Sequence, residues 1–301
     1  MSAAQEEALE RADQLVVTMA RITARLRPRP DLVGGATPLS HLAGALARAL
    51  YAPDLVVLAS QGRLGQAPLG WLGQEDSALL EAGGGRAPLD LPTIFTWVTS
   101  GRFAIWIGPA QIDRFGNTNI SRVGSAERPH PALVGSRGLP DDSVSLPNGL
   151  YYTTQHGPRS VVDQVDFVSG VGERARLPAG SRAPGRPAFL VTDLGVFDFA
   201  GPEGTCRLRS RMPGVDPSVV AERTPFALAE APGAATVPGP TADERQALQA
   251  LDPLGVRAVE CVRDAAAGAA LRERLRAAEE GRLAPRAKDL LAAVGLGGGA
   301  S

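Results

Sequence analysis

A chain of 301 residues with 44% hydrophobic and 21% charged side chains has the make-up of a soluble globular protein, long enough for one large or two ordinary domains. Its formal net charge of -1 offers no electrostatic reason to expect a nucleic acid or a membrane as partner. No segment approaches the run of about eighteen apolar residues that a membrane helix needs.

The acidic start of the chain lacks the basic and apolar regions of a secretory signal, so a cytoplasmic location is expected. Residues 5–27 place Leu9, Leu15, Val16, Met19, Ile22 and Leu26 at mixed spacings of three and four between charges, which predicts an amphipathic helix. The segment 31–38 then reads as a short strand, the pair Gly34-Gly35, and Thr37-Pro38 suited to the N-cap and first turn of a helix running to about Leu50. Such a frame either receives an anion at the helix N-terminus or is simply a tight strand-to-helix turn. After Tyr51-Ala-Pro-Asp54, residues 55–59 predict a buried strand that ends at Ser60.

Residues 64–92 are rich in Gly and Pro and predict a long irregular excursion or cap. Residues 94–98 form a helix or strand leading into Phe103-Ala-Ile-Trp-Ile107, an apolar strand stopped by Gly108-Pro109. That is how a parallel strand runs out at the edge of an α/β sheet, where ligands usually bind. The loop that follows holds Gln111, Asp113, Arg114, Asn117 and Asn119, with Gly116-Asn117 suited to a tight turn. One reading is a polar turn that holds itself together; the other is function, since loops with this much fixed polarity tend to carry it. A second glycine pair, Gly135-Ser136-Arg137-Gly138, lets a ligand approach the backbone and offers N–H groups to a developing oxyanion.

Further on, Pro140-Asp141-Asp142 suits the cap of a short helix, and 150–154 and 160–163 read as strands, with Tyr151 and Tyr152 pointing one in and one out. His156-Gly157 reads as a turn, and 165–168 as a strand before a glycine loop. Residues 187–191 lead through Thr192-Asp-Leu-Gly195 into a hairpin. Helices are predicted near 218–222 and at 242–251, the latter ending before Pro253. From about Cys261 the Ala, Arg and Glu content predicts a solvated helix and a frayed end, which divides the chain at 1–262 and 263–301. Cys206 and Cys261 lie far apart and His41, His130 and His156 are scattered, so reduced cysteines and no metal site are expected.

The run Ala110-Gln-Ile-Asp-Arg-Phe-Gly-Asn-Thr-Asn119 resembles the G-A-Q-[IV]-D-x-[YF]-G-N-x-N signature of the β subunit of family I CoA-transferases of the glutaconate type. Residues 135–138 fall where that family has G-S-G-G, and Tyr51-Ala-Pro-Asp54 and Thr192–Phe199 continue the likeness, which covers roughly residues 15–259. Within the family the chain is most similar to the β subunit of the actinobacterial hydrolases that open the last steroid ring as a CoA thioester. The likeness lies in Q-I-D-R-F-G-N-T-N-I-S at 111–121, V-S-G-V-G at 168–172 and L-G-V-F-D-F-A-G-P at 194–202.

The resemblance implies an α/β fold, a mostly parallel sheet flanked by helices. It also implies a homologous α subunit in a heterodimer or heterotetramer, and an acyl-CoA substrate, with coenzyme A entering only as part of that substrate and no permanently bound cofactor. By the Tyr-Ala-Pro-Asp register, Ser60 stands where the family carries its catalytic glutamate, and a serine cannot form the acyl anhydride and glutamyl thioester of CoA transfer. The expected chemistry is therefore hydrolysis, with a general-base carboxylate from the α subunit. Ser136, Arg137 and Gly138 are expected as oxyanion or pocket donors, Arg137 replacing the family's glycine. Gln111, Asp113, Arg114, Asn117 and Asn119 are expected to order the loop and subunit interface, and Gly34, Gly35 and Thr37 to line the CoA or acyl pocket. The alternatives are a CoA-transferase β subunit moving CoA to a carboxylic acid and a non-catalytic stabilising subunit.

Overall fold

Helix α1 (Ala3–Arg25) begins with a capping box, in which Ser2 Oγ accepts from Gln5 N and the Gln5 side chain accepts from Ser2 N. Its apolar stripe packs on α2 (Pro38–Leu50), which starts as the sequence predicts: Thr37 Oγ1 accepts from Ser40 N, and proline occupies the first turn. Here and below the structure is a computed structural model, which describes residues 2–58, 90–181 and 184–278. Ser60 and most of the expected 64–92 excursion lie outside the described residues.

The strands of the central sheet are β1 (Leu32–Gly35), β2 (Val56–Leu58), β3 (Phe103–Ile107), β8 (Gly149–Thr153), β10 (Pro187–Thr192), β11 (Gly195–Asp198), β12 (Arg207–Arg211) and β13 (Ala229–Thr236). They lie side by side as β13-β12-β11-β10-β8-β3-β1-β2, antiparallel only at the β10–β11 and β11–β12 pairings. The chain leaves β1 on one side to make β2 and returns on the other as β3, the arrangement that opens a crevice at the carboxyl ends of parallel strands.

One face of the sheet is closed by α1, α2, α6 (Ala242–Leu251) and the helix α7 over residues 265–278. The other is closed near β1–β3 by α3 (Leu91–Thr99) and in the β8–β12 region by a cluster that includes Val220 of α5 (Pro217–Arg223). Because both faces are covered, Tyr151 and Tyr152 point to opposite sides and are both buried, which corrects the in-and-out expectation. Leu271 and Leu275 of α7 are buried in the same core as Ala8, Ala12 and Leu15, so this helix packs inward along one stripe rather than standing in solvent.

The expected loop at 108–138 is partly strand. β4 (Gln111–Asp113) pairs with β5 (Thr118–Asn119) and with β9 (Val161–Val162), and β6 (Arg122–Gly124) and β7 (Pro129–Ala132) make a separate, exposed ribbon. Residues 165–168, expected as a strand, form none, and the backbone bends at Asp166 and Phe167. Asp166 N is taken by the Gln111 side chain, and pairing with Thr118 is confined to Ser169 and Gly170 among the described residues. The helix α4 (Leu139–Ser145) begins at Gly138 without a side-chain cap, so Asp141 and Asp142 lie inside its first turn rather than capping it. No helix among the described residues is long and apolar enough to cross a membrane.

Candidate functional site

The polar stretch after β3 folds around Asp113. Its Oδ1 accepts from the N–H groups of Phe115 (3.0 Å) and Asn117 (3.0 Å), its Oδ2 accepts from Asn117 Nδ2 (3.0 Å), and its carbonyl accepts from Gly116 N (2.9 Å). Gly116 turns the chain at φ 77°, a left-handed conformation that glycine adopts without steric cost. Asn117 Oδ1 in turn accepts from Gly172 N (2.9 Å) and Glu173 N (3.0 Å), which ties the turn to a segment 55 residues on. Gln111 accepts from Asp166 N and donates to Asp166 Oδ2 at 3.0 Å, and Asn119 Nδ2 donates to Gln111 Oε1 at 2.8 Å.

Gln111, Asp113, Asn117 and Asn119 are all buried, and these bonds engage them within the chain. Burial raises the Asp113 carboxyl above its usual range in spite of the donors from Asn117 and the backbone. Arg114 points outward, ion-paired with Asp163 at 3.2 Å and lying over the Phe115 ring. The structure therefore brings Gln111, Asp113, Asn117 and Asn119 together as an ordering network and leaves Arg114 outside it.

The second loop is joined to the first by serines. Ser136 Oγ is 2.9 Å from Ser121 Oγ, which is 2.8 Å from Ser169 Oγ, and Ser169 Oγ accepts from Ile120 N. Leu139 N donates to Ser136 O at 3.1 Å and closes a turn whose central residues are Arg137, at φ 48°, and Gly138, at φ -81° and ψ -4°. Positive φ at the first central position is that of a type II′ turn, where glycine dominates; another residue there costs about 1 kcal/mol. A side chain on Gly135 would meet nothing within 4 Å, and the N–H groups of Arg137 and Gly138 make no hydrogen bond among the described residues. This is open backbone able to receive a negatively charged oxygen. Beside it, the Asp142 carboxylate oxygens lie 3.7 and 4.0 Å from where a Gly138 Cβ would stand, and burial together with the Asp141 charge pushes Asp142 up to about 6.

The β1–α2 turn is different. A Cβ on Gly35 would overlap the backbone of His41, and one on Gly34 the Phe103 ring, so both glycines allow close packing against β1 and face no open space. Thr37 Oγ1 lies 2.5 Å from Tyr152 Oη, Tyr152 Oη donates to Glu260 Oε2 at 2.8 Å, and Glu260 Oε1 accepts from Leu39 N at 2.9 Å. The anion seat expected at this helix N-terminus is thus filled by the chain's own carboxylate, because Glu260 arrives from 221 residues away. Sequence reasoning misses Glu260 and the partner role of Tyr152, since no local pattern links them to Thr37. His156, read as a turn residue, is buried between Thr192 Oγ1 and Thr224 Oγ1 at 3.1 Å each, and burial with the Arg223 charge pushes it down to about 4.

No family model matches the chain. Among curated proteins it is 36% identical over 186 residues to the cholesterol ring-cleaving hydrolase IpdB subunit of Rhodococcus jostii (strain RHA1), covering 58% of this chain and 71% of that protein. It is 31% identical over 223 residues to the B-type subunit of the 3-oxoadipate CoA-transferase of Pseudomonas knackmussii, covering 71% and 84%. Among solved structures it resembles Rhodococcus jostii RHA1 IpdAB, with a TM-score of 0.70 and 29% identity over 83% of this chain and 97% of that one. The decarboxylase AibA/AibB is similar with a TM-score of 0.69 and 29% identity, over 83% and 98%.

Proposed function

The chain belongs to the CoA-transferase family as a B-type subunit, and from that premise we propose that it is the β subunit of a two-subunit hydrolase opening a carbocyclic ring in a steroid-derived CoA thioester. The observation that carries hydrolysis over transfer is Ser60. By the Tyr51-Ala-Pro-Asp54 register of the family resemblance, Ser60 stands at the position of the transferase glutamate, and a serine there has no carboxylate with which to accept an acyl group.

In this reading an α-type subunit supplies the carboxylate that removes a proton from water. The water oxygen bonds to a ring carbonyl carbon, the adjacent ring C–C bond breaks, and the carbanion released takes up a proton. The product keeps its thioester. This chain supplies the donors for the oxyanion that forms on the carbonyl oxygen, the N–H groups of Arg137 and Gly138, with Ser136 held by Ser121 and Ser169. The buried network of Gln111, Asp113, Asn117 and Asn119 keeps the two loops in register.

Transfer is the second reading, favoured by the 31% identity to a B-type CoA-transferase chain. The deciding experiment is to co-express the chain with an α-type subunit and follow a ring-containing steroid acyl-CoA by mass spectrometry. A product heavier by one water and still carrying CoA is the expected result. CoA passed to an added carboxylic acid, or loss of carbon dioxide, would replace the hydrolase reading.

A further inference from the structure

Two non-glycine residues among the described ones stand at positive φ, Glu203 and Arg137, and Arg137 is the one in the glycine loop tied to the first polar loop by Ser136 and Ser121. Its turn is not loosely held. Ser136 before it is bonded to Ser121, Ser121 to Ser169, and Leu139 after it to Ser136 O. The fold therefore imposes a conformation suited to glycine and accommodates an arginine in it.

By contrast Arg114 pairs with Asp163, and Arg122 donates to Gly124 O while lying over Phe167. Arg137 is exposed and makes no hydrogen bond or ion pair among the described residues. A residue that brings backbone strain and no internal contact gains nothing for stability, so its compensation lies in what it meets from outside.

We propose that the Arg137 guanidinium receives an anionic group of the acyl-CoA substrate, a carboxylate or a phosphate. This rests on the reading that residues 135–138 face the substrate, and it adds a charge-recognition role for the side chain to the donor role of the backbone. A planar guanidinium takes either anion through paired hydrogen bonds.

The test is binding to the co-purified two-subunit complex, which needs no turnover and so stands whether or not ring hydrolysis is found. Dissociation constants are measured by calorimetry for butyryl-CoA, glutaryl-CoA and butyryl-3′-dephospho-CoA with wild type, Arg137→Gly and Arg137→Lys. Arg137→Gly restores the residue the turn favours, so its melting temperature is expected to equal or exceed that of wild type. Its affinity for at least one probe is expected to fall by about tenfold or more, the effect of losing one charge-assisted contact. Arg137→Lys is expected to recover part of that loss. A deficit seen only with glutaryl-CoA assigns the contact to an acyl carboxylate. One shared by the two 3′-phosphorylated probes and absent from the dephospho form assigns it to the phosphate. Unchanged affinities with all three probes, or a deficit that lysine does not relieve at all, would overturn the proposal.

Discussion

Asp142, half-buried, and His156, buried, are titratable groups that the fold drives in opposite directions. Asp142 rises from 3.8 to about 6, through burial first and the Asp141 charge second. Between those values the folded chain binds more protons than the unfolded one, so stability falls as pH rises and the full cost is present above about 6. His156 drops from 6.5 to about 4, through burial first and Arg223 second. Below 6.5 the unfolded chain binds more protons, so this group makes stability rise with pH from about 4 to 6.5. The two slopes oppose each other across one window. Asp142→Asn removes only the falling one, and the variant is expected to match wild type at pH 4 and to exceed it by about 1–2 kcal/mol at pH 7.5, after allowance for partial exposure. Melting curves at the two pH values read this directly, and a loss at pH 7.5 would show that Asp142 has a stabilising partner. None of this was legible in the sequence, where Asp142 read only as a helix-cap residue. The capacity of Asn117 for a tight turn was legible, because its chemistry is local.

At the scale of elements, local rules worked where the interaction partners are close in sequence. The N-cap at Thr37 and the hairpin at Thr192, whose Oγ1 accepts from Leu194 N and Gly195 N, follow from three or four neighbouring residues. The glycines of β1 were recognised as a turn signal, yet their main work is to let α2 and Phe103 approach the strand. Gly35→Ala forces a methyl group into the His41 backbone, which cannot move without shifting α2. It is expected to cost about 1–3 kcal/mol in urea unfolding, as overpacking of a closed core does. A loss below about 0.5 kcal/mol would mean that the helix rides freely on the strand. The segment 165–168 shows the converse. Its apolar residues suggested a strand, but Asp166 is claimed by Gln111, 55 residues away.

At the scale of the whole molecule, α7 reads as a solvated helix because its composition is mostly charge and alanine, yet Leu271 and Leu275 close the core over α1. Leu271→Ala is expected to destabilise the protein by about 2–5 kcal/mol, the range for a buried leucine, while Glu273→Ala on the exposed side of the helix is expected to change the urea midpoint little. Equal effects would return α7 to the periphery. By itself the sequence determined the class of fold, most of the helices, the strands β1, β2, β3, β8 and β10, and the family. Those properties depend on period, turn chemistry and contiguous motifs, which are written along the chain. Only the tertiary structure decided that the polar loop is an internal network, that Glu260 fills the α2 N-terminus and that Arg137 stands strained and, among the described residues, unpaired. Each of these depends on contacts between residues far apart in sequence or on a backbone angle, and a distant partner leaves no local pattern.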